Sequence, residues 1–127
     1  MDGDGLSLAD IDPAYKKVGK WKLKKLEQYY DKERGLVSAI RSTVRRLEEM
    51  HADYISKASE LVGQDVTAES INTYIADMKD MSRLVELQTL EQFIITTVKD
   101  INAEMKRLHH HERISEMLLK EIKDKSI

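Results

Sequence analysis

The fold of this chain is decided by residues 23–61, which read LKKLEQYYDKERGLVSAIRSTVRRLEEMHADYISKASEL. Apolar side chains recur there on alternating steps of three and four, a spacing that places them in one narrow stripe along a helix. This stripe, the first seam, consists of Leu23, Leu26, Tyr30, Val37, Ile40, Val44, Leu47, Tyr54, Ala58 and Leu61. Only Glu33 and His51 interrupt it. Such a narrow stripe is typical of a helix that pairs with another helix.

A second helical stretch follows a short break at residues 62–66. Gly63 suits the left-handed residue that ends many helices, and Thr67 suits the cap of the next helix. We therefore predict an all-α fold, a long antiparallel two-helix coiled-coil hairpin with its turn near residues 62–67. With a tight turn, facing positions would have numbers that sum to about 130, which would place Tyr54 near Met78.

The second helix, predicted over residues 68–125, carries its apolar residues in two stripes that overlap out of phase. The early stripe consists of Ile71, Tyr74, Met78, Met81 and Val85. The later stripe consists of Leu84, Leu87, Ile94, Val98, Ile101, Met105 and Leu108. We expect a widened apolar face or a local change of supercoil where the two overlap.

The domain organisation is expected to be simple. Residues 1–11 are predicted to be a flexible lead-in, and residues 12–127 a single helical-hairpin domain. Asp12 and Pro13 suit the cap and the first position of a helix, so the first helix is expected over residues 12–62. Gly19 should weaken its first turns.

Composition narrows the classes of function. The 127 residues include no cysteine, which excludes disulfides and thiolate metal sites. No apolar run approaches the ~20 residues of a membrane span, and the acidic start lacks the basic and apolar stretches of a signal peptide. We therefore expect a cytoplasmic protein, with any membrane contact peripheral to the inner membrane.

Charge is divided along the chain, although the net charge is only −2. Residues 16–46 carry eleven basic and three acidic side chains, whereas residues 47–104 carry four basic and twelve acidic ones. Residues 105–127 again carry more bases than acids. In a hairpin both basic stretches would share one end, so each end would favour a different partner.

Catalysis is not expected, because the sequence has neither a phosphate-cradling Gly-rich loop nor a nucleophile elbow. The run His109-His110-His111 does not predict a metal site, since successive helical residues point about 100° apart. A solvated polar face is expected there instead. His51, inside the first seam, is expected to soften or register the pairing. No cofactor, no metal and no small-molecule substrate are predicted.

The most distinctive local feature is the basic run KKVGKWKLKKL at residues 16–26. It fits a solvated helix start, a segment that binds an anionic membrane surface, or a dock for an acidic protein. Nucleic acid is disfavoured by the acidic half that follows. Near the turn, apolar residues exceed what one seam needs and predict either wider packing or a contact patch. This loop-end group consists of Tyr54, Ile55, Ala58, Ile71, Tyr74, Ile75 and Met78.

Three segments carry a resemblance to a known family. They are the basic start KWKLKKLE at 20–27, the polar cap and aromatic of VTAESINTYI at 66–75, and the charged closing stretch ERISEMLLK at 112–120. In this order they resemble the flagellar FliJ family and the YscO-like stalk proteins of virulence type III secretion. The resemblance spans about residues 18–125; the long acidic lead-in and the histidine run depart from it.

The resemblance implies a non-catalytic stalk that links the export ATPase of a type III apparatus to its export gate and also contacts export chaperones. The loop-end group would meet the gate. The ATPase would be met by Trp21, Lys22, Lys24, Lys25, Lys106 and Arg107. Three alternatives stay open: a helical export chaperone or adaptor, a structural coiled-coil protein that assembles into a homo-oligomer, and a peripheral membrane binder.

Overall fold

A computed structural model describes residues 13–126, and this part of the chain is all-α, without a strand, as predicted. Three α-helices follow one another: α1 over Leu23–Val62, α2 over Ile71–Asp77 and α3 over Met81–Lys125. In the range described, no helix combines the length and the apolar character that crossing a membrane requires.

The first helix begins later than predicted, at Leu23 rather than near Pro13. Two single turns of 3-10 helix, Pro13–Tyr15 and Val18–Lys20, precede it. Trp21 then has extended backbone (φ −73°, ψ 144°), which separates these turns from α1. Gly19 lies in the second turn, where its backbone freedom disfavours a continuous α-helix. The predicted lead-in and the predicted cap at Asp12 lie outside the described residues.

Gly63 ends α1 as predicted. Its φ is +80°, and no other described residue has a positive φ. Its amide donates a hydrogen bond to the carbonyl of Ser59 (2.8 Å). The left-handed conformation lets the chain leave the helix while a last carbonyl stays bonded.

The reversal after Gly63 is longer than predicted. The Ser70 amide donates to Thr67 Oγ1 (3.1 Å) and the Thr67 amide donates to Ser70 Oγ (2.9 Å), so Thr67 closes the turn at residues 68–70, whereas the N-cap position of the next helix is Ser70. The helix that follows, α2, has only seven residues before Met78 becomes extended. Asp80 Oδ1 then accepts from the Arg83 amide (3.1 Å) and caps α3. The predicted single helix over 68–125 is therefore two helices.

The side chains of α1 are buried along the first seam, including its two polar positions. Leu26, Val37, Ile40, Val44 and Ala58 are buried. Glu33 is also buried, at 3% exposure, and His51 is half-buried. The steps of three and four therefore hold for polar and apolar residues alike.

On α3 the buried positions are Leu87, Ile94, Thr97, Leu108, Ile114, Ser115 and Leu118. The early stripe predicted through Met81 and Val85 is wrong for those two residues, which are 69% and 57% exposed. Val98, predicted in the later stripe, is exposed as well. The helix break before α3 resets the phase, so the buried face begins at Leu87.

The described residues divide into two compact units. Unit 1 comprises residues 13–40 and 107–126, with a core of Tyr15, Leu26, Ile114 and Leu118. Unit 2 comprises residues 41–106, with a core of Ala58, Val66, Ile71, Leu87 and Ile94. Each unit thus combines part of α1 with part of α3.

The pairing register differs from the predicted one. In unit 2 the Tyr54 ring lies against Phe93 (centroids 5.2 Å apart), 15 positions after the predicted partner Met78. In unit 1 Glu33 contacts His111, where the prediction places residue 97. The physical reason is the length of the reversal, because residues 63–80, including α2, replace the tight turn that the prediction assumes.

Alanine at two glycines should have opposite effects. Gly63→Ala should lower the free energy of unfolding by about 1–2 kcal/mol, because a β-carbon is disfavoured at positive φ. Gly35→Ala should raise it by about 1 kcal/mol, since Gly35 lies inside α1 with open space around its α-carbon. Urea denaturation followed by circular dichroism measures both. Equal effects of the two changes would contradict the assigned helix end.

Candidate functional site

Three aromatic rings gather beside the basic run in unit 1. Tyr15 is buried, whereas Trp21 and Tyr29 are half-buried. Ring centroids are 5.7 Å apart for Tyr15 and Trp21, 4.8 Å for Trp21 and Tyr29, and 6.0 Å for Tyr15 and Tyr29. These separations are those of favourable aromatic pairs. We call the three residues the aromatic cluster; it packs the 3-10 turns onto the start of α1.

Two lysines stand over this cluster. Lys25 Nζ lies 4.2 Å from the centroid of the Trp21 ring and 5.9 Å from that of Tyr29. Lys32 Nζ lies 5.6 Å from the Tyr29 centroid. An ammonium over an aromatic face is attracted by the ring quadrupole, by about 0.5–1 kcal/mol at an exposed site. The rings therefore hold two positive charges in position at the surface.

A buried carboxylate lies beneath the aromatic cluster. The Tyr15 hydroxyl donates to Glu33 Oε1 (2.6 Å), and His111 Nδ1 lies 2.6 Å from Glu33 Oε2. An ionised carboxylate only accepts hydrogen bonds, so the tautomer that fits this pair is the one with a proton on Nδ1. We call these three residues the polar link. It joins the first 3-10 turn, α1 and α3.

The end of α3 is tied to the same segment. Lys125 Nζ donates to the carbonyl of Gly19 (3.1 Å). This bond joins the last residue of α3 to the second 3-10 turn, although it is exposed to solvent. The 3-10 segment is thus bonded at two points, through Tyr15 to Glu33 of α1 and through Gly19 to Lys125 of α3.

The resulting surface is suited to anionic groups. Its basic residues are exposed to solvent; they are Lys16, Lys17, Lys20, Lys22, Lys24, Lys25 and Lys32. Unit 1 carries thirteen basic and seven acidic side chains among its described residues, whereas unit 2 carries eight and twelve. A cluster of exposed cations attracts carboxylates or phosphates at a distance and is screened by salt. We call this the basic surface.

Only part of the predicted ATPase-binding set belongs to the basic surface. Trp21 and Lys25 are in contact, and Lys22 and Lys24 are exposed nearby on α1. Arg107 lies in unit 1, but the pairing of Glu33 with His111 places it about three turns from the level of Lys25. Lys106 belongs to unit 2. That Lys106 and Arg107 contact the same partner as the basic surface stays a prediction.

The loop-end group packs into the core of unit 2. Ala58 and Ile71 are buried there, at 0% and 2% exposure. The other five members are half-buried and pack against the same cluster; they are Tyr54, Ile55, Tyr74, Ile75 and Met78. Of the two predicted alternatives, the wider packing is present. Ala58 and Ile71 offer no side-chain surface to a partner, which corrects their assignment as contact residues.

Reading the sequence missed Tyr15, Tyr29, Lys32 and the polar link. The solvated face predicted for the histidine run is wrong for His111, whose side chain is 19% exposed and bonded to Glu33. A signal was present in the spacing, since His111 falls three residues after Leu108 and four before Ser115, both buried. Among residues 13–126, no group of three His, Cys, Asp or Glu side chains could hold a metal ion.

No family model, curated protein or solved structure matches this chain.

Two histidine substitutions test the polar link. His111→Ala should lower the free energy of unfolding by about 1–3 kcal/mol, because it leaves the buried carboxylate of Glu33 short of a partner. His109→Ala is the matched control: His109 is exposed on the same helix, and its loss should change stability by no more than about 0.5 kcal/mol. Urea denaturation measures both variants. Similar stabilities would show that Glu33 does not depend on His111.

Proposed function

We propose that this chain is a non-catalytic helical coupling protein of a type III export apparatus, which links the export ATPase to the export gate. The observation that carries the proposal is the basic surface of unit 1, where two lysines are held over aromatic rings. The proposal also rests on the resemblance of three segments of the sequence to the FliJ and YscO-like stalk proteins. In this proposal the basic surface binds the ATPase.

The division of charge supports two different partners. Unit 1 has an excess of bases and unit 2 an excess of acids among the described residues. A positive and a negative surface potential attract partners of opposite charge, and this attraction raises the rate at which each partner associates with its own surface. A protein that couples two machines needs two such distinct surfaces. We therefore propose that unit 1 engages the ATPase and that unit 2 faces the export gate.

The fold proposed with this function is the antiparallel coiled-coil hairpin, formed by α1 and α3. Its support is the buried positions of α1, which follow steps of three and four from Leu26 to Ala58. Glu33 on α1 contacts His111 on α3, and Gly19, in the 3-10 turn before α1, contacts Lys125 at the end of α3. The order of these two contacts is reversed between the two segments, as an antiparallel pairing requires. Paired helices of this type are a common scaffold for coupling, because they transmit position without a large core.

Neutralising the basic surface should weaken ATPase binding. The triple variant Lys22→Gln, Lys24→Gln and Lys25→Gln should bind the export ATPase of the same apparatus about tenfold more weakly, with a smaller dependence on salt. It should also stimulate ATP hydrolysis less. Calorimetric titration at two salt concentrations and an ATPase assay measure these effects.

The matched control removes three lysines from unit 2, as Lys57→Gln, Lys79→Gln and Lys99→Gln, and should bind the ATPase as the unchanged chain does. Circular dichroism confirms that both triple variants are folded. Equal ATPase binding and stimulation by the unit 1 variant would refute the proposal. A 1:1 complex with an export substrate, without any effect on the ATPase, would instead support the chaperone or adaptor alternative.

A further inference from the structure

One side of α1 in unit 1 alternates aromatic rings with lysines. Starting just before the helix, residues recur there on steps of four and three; they are Trp21, Lys25, Tyr29, Lys32 and Leu36. At 3.6 residues per turn, the four helical members lie within about 60° of one another and about 100° around the helix from the buried Leu26 and Val37. We call these five residues the ring–lysine face. Their spacing is that of a contact between two helices.

Both lysines of this face stand over the ring of Tyr29. Lys25 Nζ lies 5.9 Å and Lys32 Nζ 5.6 Å from its centroid. Lys25 lies one turn before Tyr29 and Lys32 one turn after it, so two turns, about 10.5 Å of helix axis, separate the two positions. Two residues seven positions apart on a partner helix have the same separation, whichever way that helix runs.

The ring–lysine face carries no acidic side chain. Gln28, which lies beside it, is uncharged, and the nearby acids Glu27 and Asp31 lie more than about 120° around α1. The carboxylate of Glu33 is buried and already bonded within the polar link. An acidic partner is therefore attracted to this side of α1 without meeting a carboxylate of the same face.

Two other anionic surfaces fit this face less well. Binding to a membrane surface requires large apolar side chains that are exposed, and those found among the described residues all lie in unit 2. Single-stranded nucleic acid binds by stacking its bases on the faces of aromatic rings. Trp21 is instead packed against Tyr15 and Tyr29 and covered by Lys25. A protein surface that presents carboxylates remains the best match.

We propose that the ring–lysine face binds an acidic helix of a partner protein. Two carboxylates seven positions apart on that helix meet Lys25 and Lys32, and an apolar side chain between them covers Tyr29. Because the ammonium groups are already held at the rings, they lose little conformational freedom on binding. The inference deepens the proposed function and rests on it for the identity of the partner, since the export ATPase would supply this helix.

Designed peptides test the spacing of the carboxylates. The probe is a stapled helix of about 21 residues, with glutamates seven positions apart and a leucine four positions after the first. Its control has the same composition with the glutamates five positions apart, which places them on different sides of the helix. At low salt the probe should bind the unchanged chain at least about fivefold more tightly than the control does. The anisotropy of a dye on each peptide measures the Kd.

Two single variants test the lysines. Lys32→Gln should weaken binding of the probe about fivefold, because it removes one of the two paired charges. Lys24→Gln is the matched control: it removes the same charge from an exposed position about 100° around the helix from Lys25, and should weaken binding by less than about twofold. Circular dichroism confirms that both variants are folded.

Equal binding of the two peptides, or equal losses in the two variants, would overturn the proposal, because charge alone would then explain the binding. Co-sedimentation of the chain with phosphatidylserine vesicles that the probe cannot displace would overturn it in favour of a membrane surface. These outcomes are independent of the ATPase assays. Binding of the export ATPase together with equal binding of the two peptides would remove this inference and leave the proposed function standing.

Discussion

The organisation of unit 1 depends on a carboxylate buried where a coiled-coil seam would ordinarily be apolar. Glu33 is 3% exposed and stands between the hydroxyl of Tyr15 and the ring of His111. A buried carboxylate without partners is strongly unfavourable, so α1 must align with the first 3-10 turn to bring Tyr15 and with α3 to bring His111. Apolar seams tolerate slippage by a heptad, whereas this polar contact is satisfied in one register only. The register of α1 against α3 in unit 1 therefore follows from one polar group.

The same carboxylate determines what the surface of unit 1 presents. Because Tyr15 bonds to Glu33, the 3-10 segment is held against α1, and Trp21 is placed against Tyr29. The ring of Trp21 in turn holds the ammonium of Lys25. A chain of contacts thus runs from a buried acid to an exposed base, although those two residues are eight positions apart on α1. Fixed cations lose less conformational entropy on binding than free lysine side chains do.

Local patterns predicted the local features well. The first seam and the helix end at Gly63 follow from spacing and backbone preference within a few residues, and both are present. The α3 phase and the pairing register were not predictable in the same way. They depend on the break at Met78 and the cap at Asp80, which turn a short loop into an 18-residue reversal. The sequence signal for the break at Met78 and for the cap at Asp80 is weak. Both nevertheless change the pairing register of residues far along the chain.

In the candidate site, too, contacts between residues close in sequence could be predicted, whereas contacts that depend on the pairing register could not. Trp21 and Lys25 are four positions apart in the basic run, so a contact between them could be anticipated from the sequence, although Trp21 lies before the start of α1. The partner of Glu33 could not, since His111 is 78 positions away and its role depends on the register. The sequence shows that a polar residue interrupts an apolar seam, but it does not show which residue will be its hydrogen-bond partner. That partner is known only once the register against the opposite helix is known.

The stacking of Lys25 on Trp21 also makes the molecule its own optical probe. The chain has a single tryptophan, and its indole carries a positive charge 4.2 Å from the ring centroid. The excited state of indole is more polar than its ground state, so a charge at this distance alters the colour of its emission. An acidic molecule that draws the ammonium off the ring will change the fluorescence of the unlabelled protein. Occupancy of the basic surface can therefore be read without attaching a dye.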